Sequence, residues 1–162
     1  MVWSKLGSET GSGSSVDITN LTAKKHNQII SHLLQNGDVD LRMRLGNGSF
    51  DTSSNYADRF NYNGDSTDYT YNTQDDWHII NTSATHDSLL LVMEIINIDT
   101  EIKLSIFHCV HNRATGAGSV PDRMEGVNKW VNTSDQFDYI QLKDLSGSEI
   151  GSDTNISVFG TD

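Results

Sequence analysis

The chain is poor in the residues that would make its function easy to name. Cys109 is the single cysteine among 162 residues, so no disulfide can form within the chain. Basic residues number 11 against 22 acidic ones, a formal net charge of −11. Contacts with phosphate need clustered Lys and Arg, so this balance excludes a nucleic-acid binder and a ligand of anionic membranes. The acidic surplus fits solubility, with exposure to salt- or calcium-rich water as a second reading. Apolar runs are short. The longest, Leu89–Met93, is one strand's worth and far below the roughly 18 residues of a membrane span. Met1–Gly7 lacks the apolar core of a secretory signal. The expectation is synthesis in the cytosol, or a mature form without its leader. No repeat of about 20–50 residues is visible. No Gly-x-Ser-x-Gly elbow is present, and Gly11-Ser12-Gly13-Ser14 has the wrong spacing for one.

What is abundant is Ser, Thr, Asn, Asp and Gly, with a hydrophobic share of only 35%. These residues favour turns and lower helix propensity. Between them lie short alternating segments. Val39, Leu41, Met43 and Leu45 alternate with Asp40, Arg42 and Arg44, giving one wet face and one dry. Tyr56, Asp58, Phe60 and Tyr62 alternate with Ala57, Arg59 and Asn61, and Asn63-Gly64 then signals a turn. Tyr69 and Tyr71 suggest a return strand, and Trp77–Ile80 another. Ser88–Asn97 and Ile102–Val110 make the clearest hairpin. Its first arm is apolar on both sides, as a central strand is. Its second arm puts Ile102, Leu104, Ile106, His108 and Val110 on one face and Lys103, Ser105, Phe107, Cys109 and His111 on the other. Asn128–Val131, Phe137–Leu142 and Ile156–Phe159 follow. The expected fold is one all-β domain over residues 1–162, an antiparallel β-sandwich of jelly-roll type with nine or ten short strands.

Three stretches are less regular. Gly7–Ser15 is rich in Gly and Ser and is expected to be a flexible loop after a short strand at Trp3. In Lys24–Leu34, Ile29, Ile30, Leu33 and Leu34 have helical spacing between a capping Thr22 and Gly37, yet also fit a strand buried on both faces. The surrounding β pattern favours strand. Gly46–Asn55 and His111–Asn128 are expected as long loops, a length usually tied to function or partner contact.

Candidate chemistry is sparse. His108 and His111 flank Cys109, but odd and even positions of a strand point apart, and no second Cys/His cluster completes a zinc site. Asp75-Asp76 beside Trp77 suggests a carboxylate pair against a sugar, but adjacent residues do not face one scissile bond. Gly64–Asp68 and Asp51–Asn55 gather oxygen ligands without the spacing of a calcium loop. No catalytic residue, metal ligand or cofactor is assigned. Five Asn-x-Ser/Thr triplets, at Asn20, Asn47, Asn81, Asn132 and Asn155, are what this composition produces by chance. Trp3, Trp77 and Trp130 are expected in the core or an interface, or else on a sugar platform.

Asn55-Tyr56-Ala57-Asp58-Arg59 with Asn63-Gly64, the stretches Ala114–Arg123 and Gly126–Ser134, and the ending Phe159-Gly160-Thr161-Asp162 together resemble small β-sandwich virion proteins of tailed phages and archaeal viruses. The resemblance spans Trp3 to Asp162. It implies a non-enzymatic structural role in the virion, assembled in the host cytoplasm. The first choice is capsid decoration, as a symmetric oligomer such as a homotrimer bound to the major capsid protein. The candidate contacts are Trp3, Lys5, Arg113, Arg123, Lys129 and Trp130, where basic charge gathers in an otherwise acidic chain. The alternative is a tail-associated receptor- or carbohydrate-binding module using Tyr62, Tyr69, Tyr71 and Trp77 as stacking aromatics. A hydrolase built on acidic residues is a third possibility, and would need two carboxylates converging in a cleft.

Overall fold

A computed structural model describes residues 2–35, 37–82, 87–112, 116–147 and 150–162. It holds twelve strands and, among the described residues, no helix. They are β1 (Ser4–Gly13), β2 (Ser15–Ile18), β3 (His26–Gln35), β4 (Val39–Gly46), β5 (Tyr56–Tyr62), β6 (Tyr69–Gln74), β7 (Trp77–Thr82), β8 (Asp87–Ile96), β9 (Lys103–His111), β10 (Asp122–Trp130), β11 (Tyr139–Asp144) and β12 (Ile150–Thr161). The large sheet runs β1-β12-β3-β8-β9-β10-β5-β6 and the small one β2-β11-β4-β7, antiparallel throughout. The chain passes repeatedly between the sheets, as in a jelly roll. The expected all-β sandwich is therefore the observed architecture, with slightly more strands than nine or ten.

The core lies between the sheets. From the large sheet come Ile29, Leu33, Leu91, Met93, Phe107, Ile156 and Val158; from the small one Leu41, Met43, Leu45, Trp77, Ile140 and Leu142, all nearly inaccessible to solvent. Lys24–Leu34 resolves as strand from His26 onward. Ile29, Ser31 and Leu33 point inward, while Ile30 and His32 point out. The apparent helical spacing arose because the outward positions also carry apolar residues. The hairpin's first arm, β8, is central, as its two apolar sides implied.

Three expectations need correction. Gly7–Ser15 is not a loop: it lies in β1 and β2, and β1 pairs with β12 from Ser4 to Gly13. Small residues are there because the backbone runs close over β2. A Cβ on Gly7 would come within 2.8 Å of Leu21, and one on Gly11 within 2.9 Å of Val16. Removing residues before Ser15 would therefore strip an edge strand rather than a tether. The loop expected over His111–Asn128 is shorter, because β10 already begins at Asp122. Its inward positions are Asp122, Met124, Gly126, Asn128 and Trp130, too polar a set to signal a buried face in the sequence. The last strand extends to both sides of Ile156–Phe159, again through polar residues.

Candidate functional site

Residues directly opposite one another in a ladder share a face. One such row crosses the whole large sheet: Lys5, Phe159, Gln28, Glu94, Ile106, Val127, Arg59 and Thr70. It marks the outer face, away from the small sheet. On β9 the polar set Lys103, Ser105 and His111 points inward with Phe107 and Cys109, while Leu104, Ile106 and Val110 face solvent. Leu104 and Ile106 are 51% and 52% exposed. Ile30, Leu90, Ile96, Val110 and Val127 extend the apolar area across neighbouring strands. Trp3 stands over it, and with His26, Ile96, Leu104 and Val127 lines a groove of about 460 Å³.

Eight exposed apolar residues on one face, Trp3, Ile30, Leu90, Ile96, Leu104, Ile106, Val110 and Val127, are more than singly scattered surface hydrophobics. The charge of this face is also unlike that of the chain. The paired outer positions carry four cations, Lys5, Arg59, Arg123 and Lys129, against two carboxylates, Glu94 and Glu125. The acidic surplus of −11 lies largely elsewhere, with Asp68 at the border of the face beside Arg59, Ile106 and Val127.

Of the contact residues expected from sequence, Trp3, Lys5, Arg123 and Lys129 are exposed and lie on this face, Lys5 on β1 and Arg123 and Lys129 at the two ends of β10. Arg113 lies outside the described residues. Trp130 does not belong with them. It is buried, stacks on Tyr56 with ring centroids 6.2 Å apart, and donates from Nε1 to Asp51 Oδ2.

A second feature lies where β5 and β6 run past the edge strand of the small sheet, β7. Phe60, Tyr69 and Tyr71 stack with interplanar angles of 15° and 16°. Tyr71 lies on His78 at 4.2 Å between centroids. These rings, with Tyr62, Arg42, Gln74 and Asn81, line an open recess of about 500 Å³. Asp58 sits behind it, its side chain fully buried. Its Oδ2 accepts from the His78 backbone N–H at 3.2 Å and lies 3.3 Å from His78 Nδ1. Of the four stacking aromatics expected from sequence, Tyr62, Tyr69 and Tyr71 converge here. Trp77 is a core residue: it is inaccessible, packs edge-on against Tyr56, and donates from Nε1 to the Lys129 carbonyl. Phe60, His78, Gln74 and Asn81 were not legible as site residues, because only the overhang of β6 brings them together.

The remaining candidates have structural roles. Asp76 is buried among Lys143 at 2.6 Å, Arg42 at 3.5 Å and Arg44 at 3.7 Å, while exposed Asp75 pairs with Arg44. The two acids do not converge on a cleft. Burial pushes the Asp51 carboxyl up, but hydrogen bonds from Asn55, Trp130 and Ser53 outweigh it and hold its pKa below the ordinary value. Those bonds occupy the oxygens that a calcium ion would use. Among the described residues no group of three His, Cys, Asp or Glu gathers at metal-binding distance. His108 and His111 point to opposite faces, and burial pushes the Cys109 thiol pKa far up. Lys103, buried on the inner side, donates from Nζ to the carbonyls of Glu101 and Asn132, and burial holds its pKa below the usual lysine range.

The residues that carried the family resemblance are largely scaffold. The Tyr56 hydroxyl both donates to the Leu45 carbonyl and accepts from the Leu45 N–H. Asn63, at φ 53°, clamps β10 through Asp122 and the Arg123 N–H. Compared with family models, curated proteins and solved structures, the chain finds no match.

Proposed function

We propose that this chain is a non-enzymatic virion structural protein that decorates the capsid, and that the outer face of the large sheet is its attachment surface. The observation that carries the reading is that face: a wide exposed apolar area with basic rather than acidic charge, on a molecule that is otherwise strongly acidic. A free monomer gains nothing from exposing Leu104, Ile106, Val127 and Trp3 together. The partner that fits is a protein surface with apolar patches and acidic margins, steered by Lys5, Arg59, Arg123 and Lys129. The role on a capsid comes from the sequence resemblance. Rigid strands on both sides of the core suit a part that must hold its shape while bound.

The test is to detect the protein in purified particles, strip it, and add it back. The wild type should sediment with stripped particles, and Leu104→Asp should stay in the supernatant. Aspartate there faces Lys129 across the ladder, so it removes apolar area and neutralises the face without placing like charges together. Absence of the protein from particles, or equal rebinding by the variant, would overturn the proposal.

A further inference from the structure

We propose that the recess bounded by Phe60, Tyr69, Tyr71 and His78 binds a neutral saccharide. It shares no lining residue with the outer groove, so the inference stands apart from capsid attachment. Three observations carry it.

The first is the pairing of surfaces. Tyr69 and Tyr71 are large aromatics left 46% and 39% exposed, held nearly parallel over Phe60. A sugar ring offers C–H groups to such a face and hydroxyls to its sides. Gln74, Asn81 and His78 also line the recess, the Gln74 amide donating to the Asn72 carbonyl. His78 is nearly buried, with Nδ1 3.3 Å from Asp58 Oδ2, and its ring borders the recess. The volume of about 500 Å³ suits a small ligand of one or two rings.

The second is that the recess is built at local cost. β6 carries an extra residue opposite β5 between Tyr71 and Gln74, and within that bulge Thr73 adopts φ 54°. A β-branched residue in the left-handed region is strained. β7 carries its own extra residue at Ile79, next to His78. Bulges re-aim side chains and gather beside functional sites. Asp58 adds a third cost, since its buried Oδ1 has no hydrogen-bond partner. A plain edge strand needs none of these.

The third concerns charge. Among the described residues, Arg42 is the one Lys or Arg lining the recess, and it is engaged by Asp40 and Asp76. The Asp58 carboxylate lies directly behind His78. Among the described residues, an anionic ligand would meet an arginine already paired with two carboxylates. The recess therefore favours neutral sugars over sialylated or uronic ones.

Titration of the full chain by two-dimensional NMR tests this, with neutral disaccharides of glucose, galactose, mannose and N-acetylglucosamine, and with sialyllactose as the acidic probe. At least one neutral disaccharide should shift the amides of residues 69–74 and 78, and sialyllactose should not. Tyr69→Ala should weaken that binding ~5- to 10-fold and Tyr69→Phe less than ~2-fold, because stacking survives in the second. Tyr69 is exposed, so both variants should keep the wild-type spectrum elsewhere. Silence across the neutral panel, shifts confined to other regions, stronger binding of sialyllactose, or unchanged affinity in Tyr69→Ala would overturn the proposal.

Discussion

Replacing Asp76 with alanine tests the electrostatic reading of the small sheet. Its carboxylate is almost fully buried, and three cations surround it, each with a side chain only about one-eighth exposed. Asp40 and Asp75 complete a cluster of three cations and three carboxylates. Truncating the central acid leaves Lys143 without its 2.6 Å partner and crowds it against two guanidinium groups. Breaking a buried pair in this way costs about 3–5 kcal/mol, because the surviving charge stays desolvated. At ~2–4 °C per kcal/mol for a chain of this size, Tm should fall by roughly 10 °C in a thermal melt followed by circular dichroism. Asp75→Ala is the control. Its carboxylate is more than half exposed, so its loss should cost about 1 kcal/mol or less. Removing Lys143 together with Asp76 should restore part of the stability, since the double variant buries one fewer unpaired charge. If Asp76→Ala melts no lower than Asp75→Ala, the cluster does not hold the sheet and the reasoning fails.

Three further outcomes follow from the geometry. Gly126→Ala would place a Cβ 2.7 Å from the Arg59 carbonyl and from Phe60 and Phe107. It should cost about 1–3 kcal/mol, while Gly118→Ala, with open space around it, should melt like the wild type. Asp51 has a lowered pKa in the fold, so the unfolded chain binds its proton more readily. Its contribution is present above the ordinary value of 3.8 and is lost as pH falls through the folded pKa. Asp51→Asn should therefore flatten the loss of stability seen in denaturant melts below about pH 4; an unchanged acid limb would refute this. Leu104→Asp should change folding stability by no more than about 0.5 kcal/mol in urea, because its side chain faces solvent. A large loss would mean that the outer face contributes to the core.

Fold class was legible because most strands carry their period-2 pattern openly, Val39–Leu45 and Ile102–Val110 above all. Strand edges and two whole segments were not. Gly7–Ser15 has no pattern to read, since close approach to Val16 and Leu21 demands small residues. Asp122–Trp130 points Asp122, Gly126 and Asn128 inward, which hides a core strand behind polar letters. The alternation of Ile102–Val110 was visible, but not which side faced out. Burial of Lys103 with its Nζ on two carbonyls inverts the usual assignment, and that inversion turns Leu104, Ile106 and Val110 to solvent. Aromatic residues could be chosen by type alone, so Tyr69 and Tyr71 were found together with Trp77. Only three-dimensional placement separates two ledge residues from one core residue. Lys5, Arg123 and Lys129 share one face because each occupies an outward position in its ladder.

The most direct measurement is hydroxyl-radical footprinting of the protein free and bound to particles. Attachment through the large sheet predicts that Trp3, Leu104, Ile106 and Val127 are labelled when free and protected when bound, while Tyr69 and Tyr71 keep their labelling. Equal labelling of Leu104 and Ile106 in both states would contradict it.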